Sequence, residues 1–204
     1  MKKDANTYDA IVIGAGMAGG WAAKEFSEQG LNTLLLERGP NVVHIEDYPT
    51  TNKQPWEFKH RGRLTQQEIK ENPIVSRCYA FREDAKHFFV KDKEHPYEQV
   101  KPFDWIRGYQ VGGKSIMWAR QVQRWSPYDF EGPARDGYAV DWPIGYEDLA
   151  DWYTYVERFV GVSGNMDGLD TLPDGAFLKP WESNMVEEYF SQQVKKHYGD
   201  RHVI

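Results

Sequence analysis

The chain has 204 residues, a mass of 23.8 kDa and a net charge of −6 from 25 basic and 31 acidic side chains. An acidic chain with no basic block excludes nucleic acid as a main partner, and its one cysteine, Cys78, excludes a disulfide framework, a cysteine-ligated zinc site and an iron–sulfur cluster built from this chain alone. No apolar run approaches the ~18 residues of a membrane span, and no secretory signal follows the charged start, so the expected location is the cytoplasm, or the periplasm by export with a partner that carries a signal.

Residues 10–13, Ala-Ile-Val-Ile, form a short apolar run rich in β-branched side chains and predict a buried parallel strand. Gly14-Ala15-Gly16-Met17-Ala18-Gly19 follows at once, and a helix is expected over 17–29, with Ala18, Ala22 and Phe26 spaced by four and Gly30 at the left-handed position that ends it. Residues 33–36 predict a second buried strand, ending on Glu37-Arg38-Gly39-Pro40. The pattern then weakens. A helix is expected over 56–70, stopped before Pro73, then strands at 77–81 and 88–90 and an exposed loop at 91–96. Residues 103–118 read as a glycine-punctuated loop and 126–143 as turns. From Tyr146 a helix places Leu149, Trp152, Tyr153, Val156, Phe159 and Val160 on one face, with Glu147 and Asp148 in its first turn. A last helix starts at Asn184 with Glu187 completing a capping box. Its apolar stripe of Met185, Val186, Tyr189, Phe190 and Val194 is expected to lack cover within this chain.

The glycine motif carries the chemistry. It follows a predicted strand, opens a predicted helix and is followed about 20 residues on by an acid, Glu37, at the end of a second strand. Gly14 permits the tight turn, Gly16 lets backbone approach a pyrophosphate, and Gly19 lets helix and strand pack closely. The helix start, at Met17, offers unpaired N–H groups and a partial positive charge to phosphates. Glu37 can accept ribose hydroxyls and would repel a 2′-phosphate, which disfavours NADP. The geometry serves NAD and FAD alike. The Glu37-Arg38-Gly39 ending, with the motif so near the start, resembles the FAD enzymes.

A second motif, Arg107-Gly108-Tyr109-Gln110-Val111-Gly112-Gly113-Lys114-Ser115-Ile116-Met117-Trp118, is similar to the flavin-binding loop of the glucose–methanol–choline (GMC) oxidoreductases. Arg107, Val111, Gly112, Gly113, Ser115 and Trp118 match that pattern. Asp141-Trp142-Pro143-Ile144 before the Tyr146 helix, Gly161-Val162-Ser163-Gly164, and Leu172-Pro173-Asp174-Gly175 resemble the bacterial sugar-dehydrogenase branch. Gly112 and Gly113 would let backbone N–H groups reach the cofactor, Ser115 could donate to a phosphate or the flavin ring, and Arg107 could neutralise pyrophosphate charge.

The resemblance implies an α/β, Rossmann-like FAD-binding domain over 1–145, a parallel sheet with helices on both faces and an irregular insertion at 41–100. The start of a substrate domain would occupy 146–204. It implies FAD, an alcohol or sugar donor and an electron-acceptor subunit as a candidate partner. The cofactor-binding candidates are Gly14, Gly16, Met17, Gly19, Glu37, Arg38, Arg107, Val111, Gly112, Gly113, Ser115 and Trp118. Where some relatives carry a histidine that bonds covalently to FAD, this chain has Met117, so non-covalent FAD is expected. The family's catalytic histidine segment has no match here, and catalytic residues are expected beyond Ile204. Competing readings are another FAD or NAD enzyme that shares only the first motif, and a non-catalytic FAD-binding fragment or split subunit.

Other residues read more plainly. His44, His60, His87, His95, His197 and His202 show no metal-ligand spacing, and Cys78 reads as a packed thiol. Trp152 and Tyr153 are expected in a core, while Trp118 is the aromatic best placed beside a flavin. Arg120 and Arg124 are expected in structural pairs.

Overall fold

In the computed structural model of the protein, residues 7–204 are described. They divide into two compact units, one running up to Ala119 and the other Arg120–Ile204.

In the first unit, strand β1 (Ala10–Ile13) pairs in parallel with β2 (Thr33–Leu36), Ala10 opposite Thr33 and Ile13 opposite Leu36. Helix α1 (Met17–Glu28) is the crossover between them, and Gly30, at φ +85°, closes it. This is the parallel βαβ unit of a Rossmann-like α/β fold. Side chains alternate across a strand, so Val12 is buried toward Gly19 of α1 while Ile11 and Ile13 point away, 60% and 85% exposed. Helices were expected on both faces. Among the described residues the sheet has two strands and α1 is the helix that makes the main contact with it, while the following segment buries its apolar residues in a separate cluster.

That cluster joins Val75, Phe81 and Phe89, with Leu64, Cys78, Ile106 and Met117 against it. The expected helix over 56–70 is broken. Two 3₁₀ turns, Pro55–Glu57 and Lys59–Gly62, precede α2 (Gln66–Glu71), and His60 and Arg61 sit at φ +52° and +55°, which no helix continues through. Thr65 then restarts a helix with its own capping box to Glu68. The strands expected at 77–81 and 88–90 are also replaced, by 3₁₀ turns at Val75–Arg77 and Lys86–Phe88. Among the described residues no neighbouring strand offers them a ladder, so their apolar side chains pack as a knot of turns. The loop at 91–96 is exposed from Lys93 on, Lys91 is half-buried, and Asp92 is a buried carboxylate that accepts from Ile74 N–H (2.8 Å) and Val75 N–H (2.9 Å).

The second unit holds α3 (Pro127–Phe130), α4 (Gly132–Arg135), α5 (Tyr146–Val160) and α6 (Met185–His197). Gly145 N–H donates to Asp148 at 2.8 Å to start α5, and Gly161 at φ +78° ends it. Asn184 caps α6 by accepting from Val186 and Glu187 N–H. Trp152 does not enter a core: it is 63% exposed, because the inward position on α5 belongs to Glu157. The α6 stripe is uncovered, with Met185 83% exposed. None of the described helices is long and apolar enough to cross a membrane.

Glu157 organises this unit. Its carboxylate accepts from Arg124 Nε (2.8 Å), Arg124 Nη2 (2.7 Å) and Ala176 N–H (2.7 Å). Arg124 also donates to Tyr146 Oη and Thr154 Oγ1. One bidentate pair therefore ties three separate stretches of chain together. Burial alone would raise the Glu157 carboxyl, but the Arg124 and Ala176 bonds outweigh it and hold the group ionised. Removing one partner leaves the other charge buried and unmatched. Glu157→Gln should therefore cost about 3–5 kcal/mol in urea unfolding of this unit, whereas the double change Arg124→Met, Glu157→Leu should recover most of that loss.

Candidate functional site

The site lies where the C-terminal ends of β1 and β2 meet the start of α1 and the loop at 107–118. β1 runs into Gly14, whose φ of +93° makes the turn, and Gly14 N–H donates to Leu36 O at 2.7 Å. Gly16 caps α1 with no side-chain bond and no acid in the first turn, so no carboxylate of that turn competes for the opening amides of this 12-residue helix, Met17 among them. A Cβ on Gly19 would fall 1.8 Å from the Gly14 carbonyl oxygen, so that glycine serves helix–strand packing. A Cβ on Gly16 would meet nothing within 4 Å: the backbone there is open to a ligand.

Glu37 turns its carboxylate back onto the first loop. Its Oε2 accepts from Ala15 N–H at 2.7 Å and its Oε1 from Gly39 N–H at 2.9 Å. These bonds, Ala15 first, hold its pKa below the ordinary carboxylate range against a small opposing effect of burial, with Arg38 assisting. An ionised carboxylate has about four acceptor positions, so it retains capacity for a ribose diol.

The second glycine loop is laid directly on the first. Gly112 and Gly113 have φ of +90° and +53°, the left-handed region that glycine enters without strain. Gly112 N–H donates to Ala15 O at 2.8 Å, and a Cβ on Gly113 would lie 3.3 Å from Gly16 Cα. Val111 N–H donates to Pro40 O at 3.0 Å. A 3₁₀ turn, Gly113–Ile116, follows, and Ser115 Oγ donates back to Gly112 O at 2.6 Å. The structure thus brings Gly14, Gly16, Glu37, Arg38, Val111, Gly112, Gly113 and Ser115 to one corner.

Arg107 is placed differently. It is 7% exposed and donates to His95 O (2.6 Å) and Tyr109 Oη (2.8 Å), with its guanidinium 4.6 Å from the Trp105 ring centroid. Those bonds commit it to the loop's own scaffold. Trp118 is part-exposed, and Met117 packs against the Val75–Phe81–Phe89 cluster. Sequence reasoning missed Tyr109 and Gly39. A Cβ on Gly39 would fall 1.9 Å from Tyr109 O, and the available signal was the Gly-Pro pair closing β2. Among the described residues, no three His, Cys, Asp or Glu side chains are placed to hold a metal ion.

The residues fit an extended dinucleotide: an open, uncapped helix start for the pyrophosphate and an ionised acceptor for the ribose. Two expectations follow from the glycine geometry. Gly16→Ala should melt close to wild type yet bind FAD at least tenfold more weakly (~1.4 kcal/mol), whereas Gly19→Ala should lower the melting temperature itself. For Glu37, the folded pKa lies below the unfolded one, so its contribution to stability is complete above the unfolded value and is lost as pH falls through the folded value. Melting against pH should therefore show a shallower acid limb in Glu37→Gln than in wild type.

Comparisons with known proteins find similarity to flavin-binding proteins. A family profile described as an FAD binding domain matches residues 9–45, which include the first glycine loop, α1 and Glu37. The chain is 27% identical to the fructose dehydrogenase large subunit of Gluconobacter japonicus over 89% of its length and 32% of the relative's. It is 29% identical to 2-methyl-1,2-propanediol dehydrogenase of Mycolicibacterium austroafricanum, over 85% of this chain and 28% of that one. It is 28% identical to the gluconate 2-dehydrogenase flavoprotein of Pantoea cypripedii, over 77% and 26%. By this similarity and the geometry of its glycine loops, the chain resembles the FAD-binding part of GMC-type oxidoreductases, and it spans about a third or less of the length of these relatives.

Proposed function

We propose that this chain supplies the FAD-binding part of an enzyme that oxidises the CH–OH group of a sugar, glycoside or similar small alcohol. The observation that carries the proposal is the meeting of the open Gly16 backbone, the Glu37 carboxylate and the Gly112-Gly113 loop at one corner. The similarity to proteins named as dehydrogenases of fructose, gluconate and a propanediol supports the substrate class.

In this reading the Gly14–Gly19 loop and the amide of Met17 take the pyrophosphate, and Glu37 accepts the ribose hydroxyls with Arg38 beside it. Val111, Gly112, Gly113, Ser115 and Trp118 lie along the flavin. When bound, FAD supplies the two-electron acceptor for the hydride that leaves the alcohol carbon. The residues of this chain bind and orient the reactants, and none of the 204 is assigned as the general base that takes the hydroxyl proton. FAD is held without a covalent bond: Met117 stands at the linking position, and its thioether cannot form a histidyl bond. We place the FAD-binding domain over 1–145 and the start of a substrate domain over 146–204. Electrons pass on to an acceptor subunit, a choice supported by relatives named as a large subunit and as a flavoprotein. The location is the cytoplasm, or the periplasm after export with such a partner.

A second reading, a split subunit that acts only with another polypeptide, is favoured by the bare α6 stripe and the open face of the β1–β2 sheet. Both readings are tested by reconstituting the chain with FAD. The expected outcome is a flavin absorption band on the folded protein, release of all flavin on acid precipitation and no turnover of sugars by this chain alone. NAD binding without flavin would overturn the cofactor reading. Flavin retained in the acid pellet would overturn non-covalent attachment, and sugar turnover would overturn the absence of a base.

A further inference from the structure

We propose that Tyr109 is a positioning residue of the cofactor site, and that Arg107 is its prop and not a phosphate ligand. The consequence for FAD rests on the reading above; the geometry does not.

Tyr109 meets the end of β2 at two points. Its carbonyl oxygen fills the space where Gly39 would carry a Cβ, 1.9 Å from that position, so the end of β2 and the second loop meet backbone to backbone. Its ring lies under the Arg38 guanidinium, 3.8 Å from carbon to ring centroid. Arg38 follows the acid that reads the ribose, so this stack sets the direction in which the chain leaves Glu37. Of the next bonds downstream, Val111 N–H to Pro40 O joins the same two stretches, and Gly112 N–H to Ala15 O joins the second loop to the first. If the ring swings, both must loosen.

What keeps the ring in place is Arg107. Its Nη1 donates to Tyr109 Oη at 2.8 Å and its Nη2 to His95 O at 2.6 Å. His95 itself meets the Tyr109 ring edge-on at 5.2 Å between centroids. The buried guanidinium has the faces of Trp105 and Tyr97 around it, at 4.6 and 5.2 Å, and its Nε has no partner. A cation committed to two oxygens and two rings inside the loop's scaffold is not available to neutralise a pyrophosphate. Its charge instead strengthens the bond to Tyr109, since ionised donors make the stronger hydrogen bonds, and cation–π contact offsets part of its desolvation.

The test uses the whole chain and two readouts, amide hydrogen exchange without cofactor and FAD titration. Tyr109→Leu should speed exchange at Gly39, Val111 and Gly112 about tenfold relative to the amides of β1 and β2, and weaken FAD by a similar factor. Tyr109→Phe keeps the ring under Arg38 but loses the bond from Arg107, and should loosen both by about threefold, less than the leucine variant. Arg107→Lys keeps the charge but loses the planar fork, and should show the same local loosening as Tyr109→Leu. It carries the test if the leucine variant does not fold. Exchange that stays unchanged, or rises equally across β1 and β2, would overturn the positioning role. Arg107→Lys with FAD affinity lost but exchange unaltered would overturn the prop and restore a phosphate contact. Wild-type chain that binds no FAD would overturn the proposed function, while the exchange pattern would still decide what Tyr109 does.

Discussion

The first unit depends on a single carboxylate that holds two backbone amides. Glu37 sits at the end of β2, and by accepting from Ala15 N–H and Gly39 N–H it fixes the first glycine loop to the strand that follows it in the sheet. Ala15 then presents its carbonyl outward, and Gly112 N–H takes it. The second loop is therefore registered on the first through main-chain bonds, with glycines where a Cβ would collide. An arrangement of this kind is stiff where a dinucleotide needs fixed donors and open where it needs room. It also explains why the glycines differ: Gly19 and Gly39 are closed by neighbouring carbonyls, while Gly16 faces open space.

The second unit is held on a different principle. Its interior position on α5 is an acid, Glu157, paired with Arg124 and bonded to Ala176. Such a pair contributes little net free energy over an apolar replacement, because desolvation of both charges offsets their attraction. What it contributes is direction. Only one approach of the Arg124 segment and of the 175–177 turn satisfies both carboxylate oxygens. The apolar side chains that would usually do this work, Trp152, Phe159 and the α6 stripe, stand in solvent.

The two motifs make a division of labour within the proposed cofactor site. The backbone contributes the anion-binding and close-approach surfaces, Glu37 contributes the one ionised acceptor, and the aromatic and arginine side chains around Tyr109 set where the loops lie. Arginine in a flavin loop invites assignment to phosphate. Here its bonds to a carbonyl and a phenol, and its enclosure by Trp105 and Tyr97, support the mechanical task proposed for it.

By itself the sequence determined the β1–α1–β2 unit nearly to the residue, the two amphipathic helices and the cap of α6, and the positions of Gly14, Gly16, Gly19, Glu37, Gly112 and Gly113. These are local properties: strand runs, helical spacing, capping boxes and glycines at positive φ all act over a few neighbours. Tertiary structure decided the rest. Residues 56–90 carry apolar residues that suit strands or helices equally, and without a neighbouring strand to pair with they close on each other as turns around Val75, Phe81 and Phe89. Asp92 and Glu157 look like surface acids in sequence, and became interior only because distant amides and Arg124 reach them. Tyr109 and Arg107 likewise acquire their places from contacts with Arg38, Gly39 and His95, which no spacing along the chain encodes.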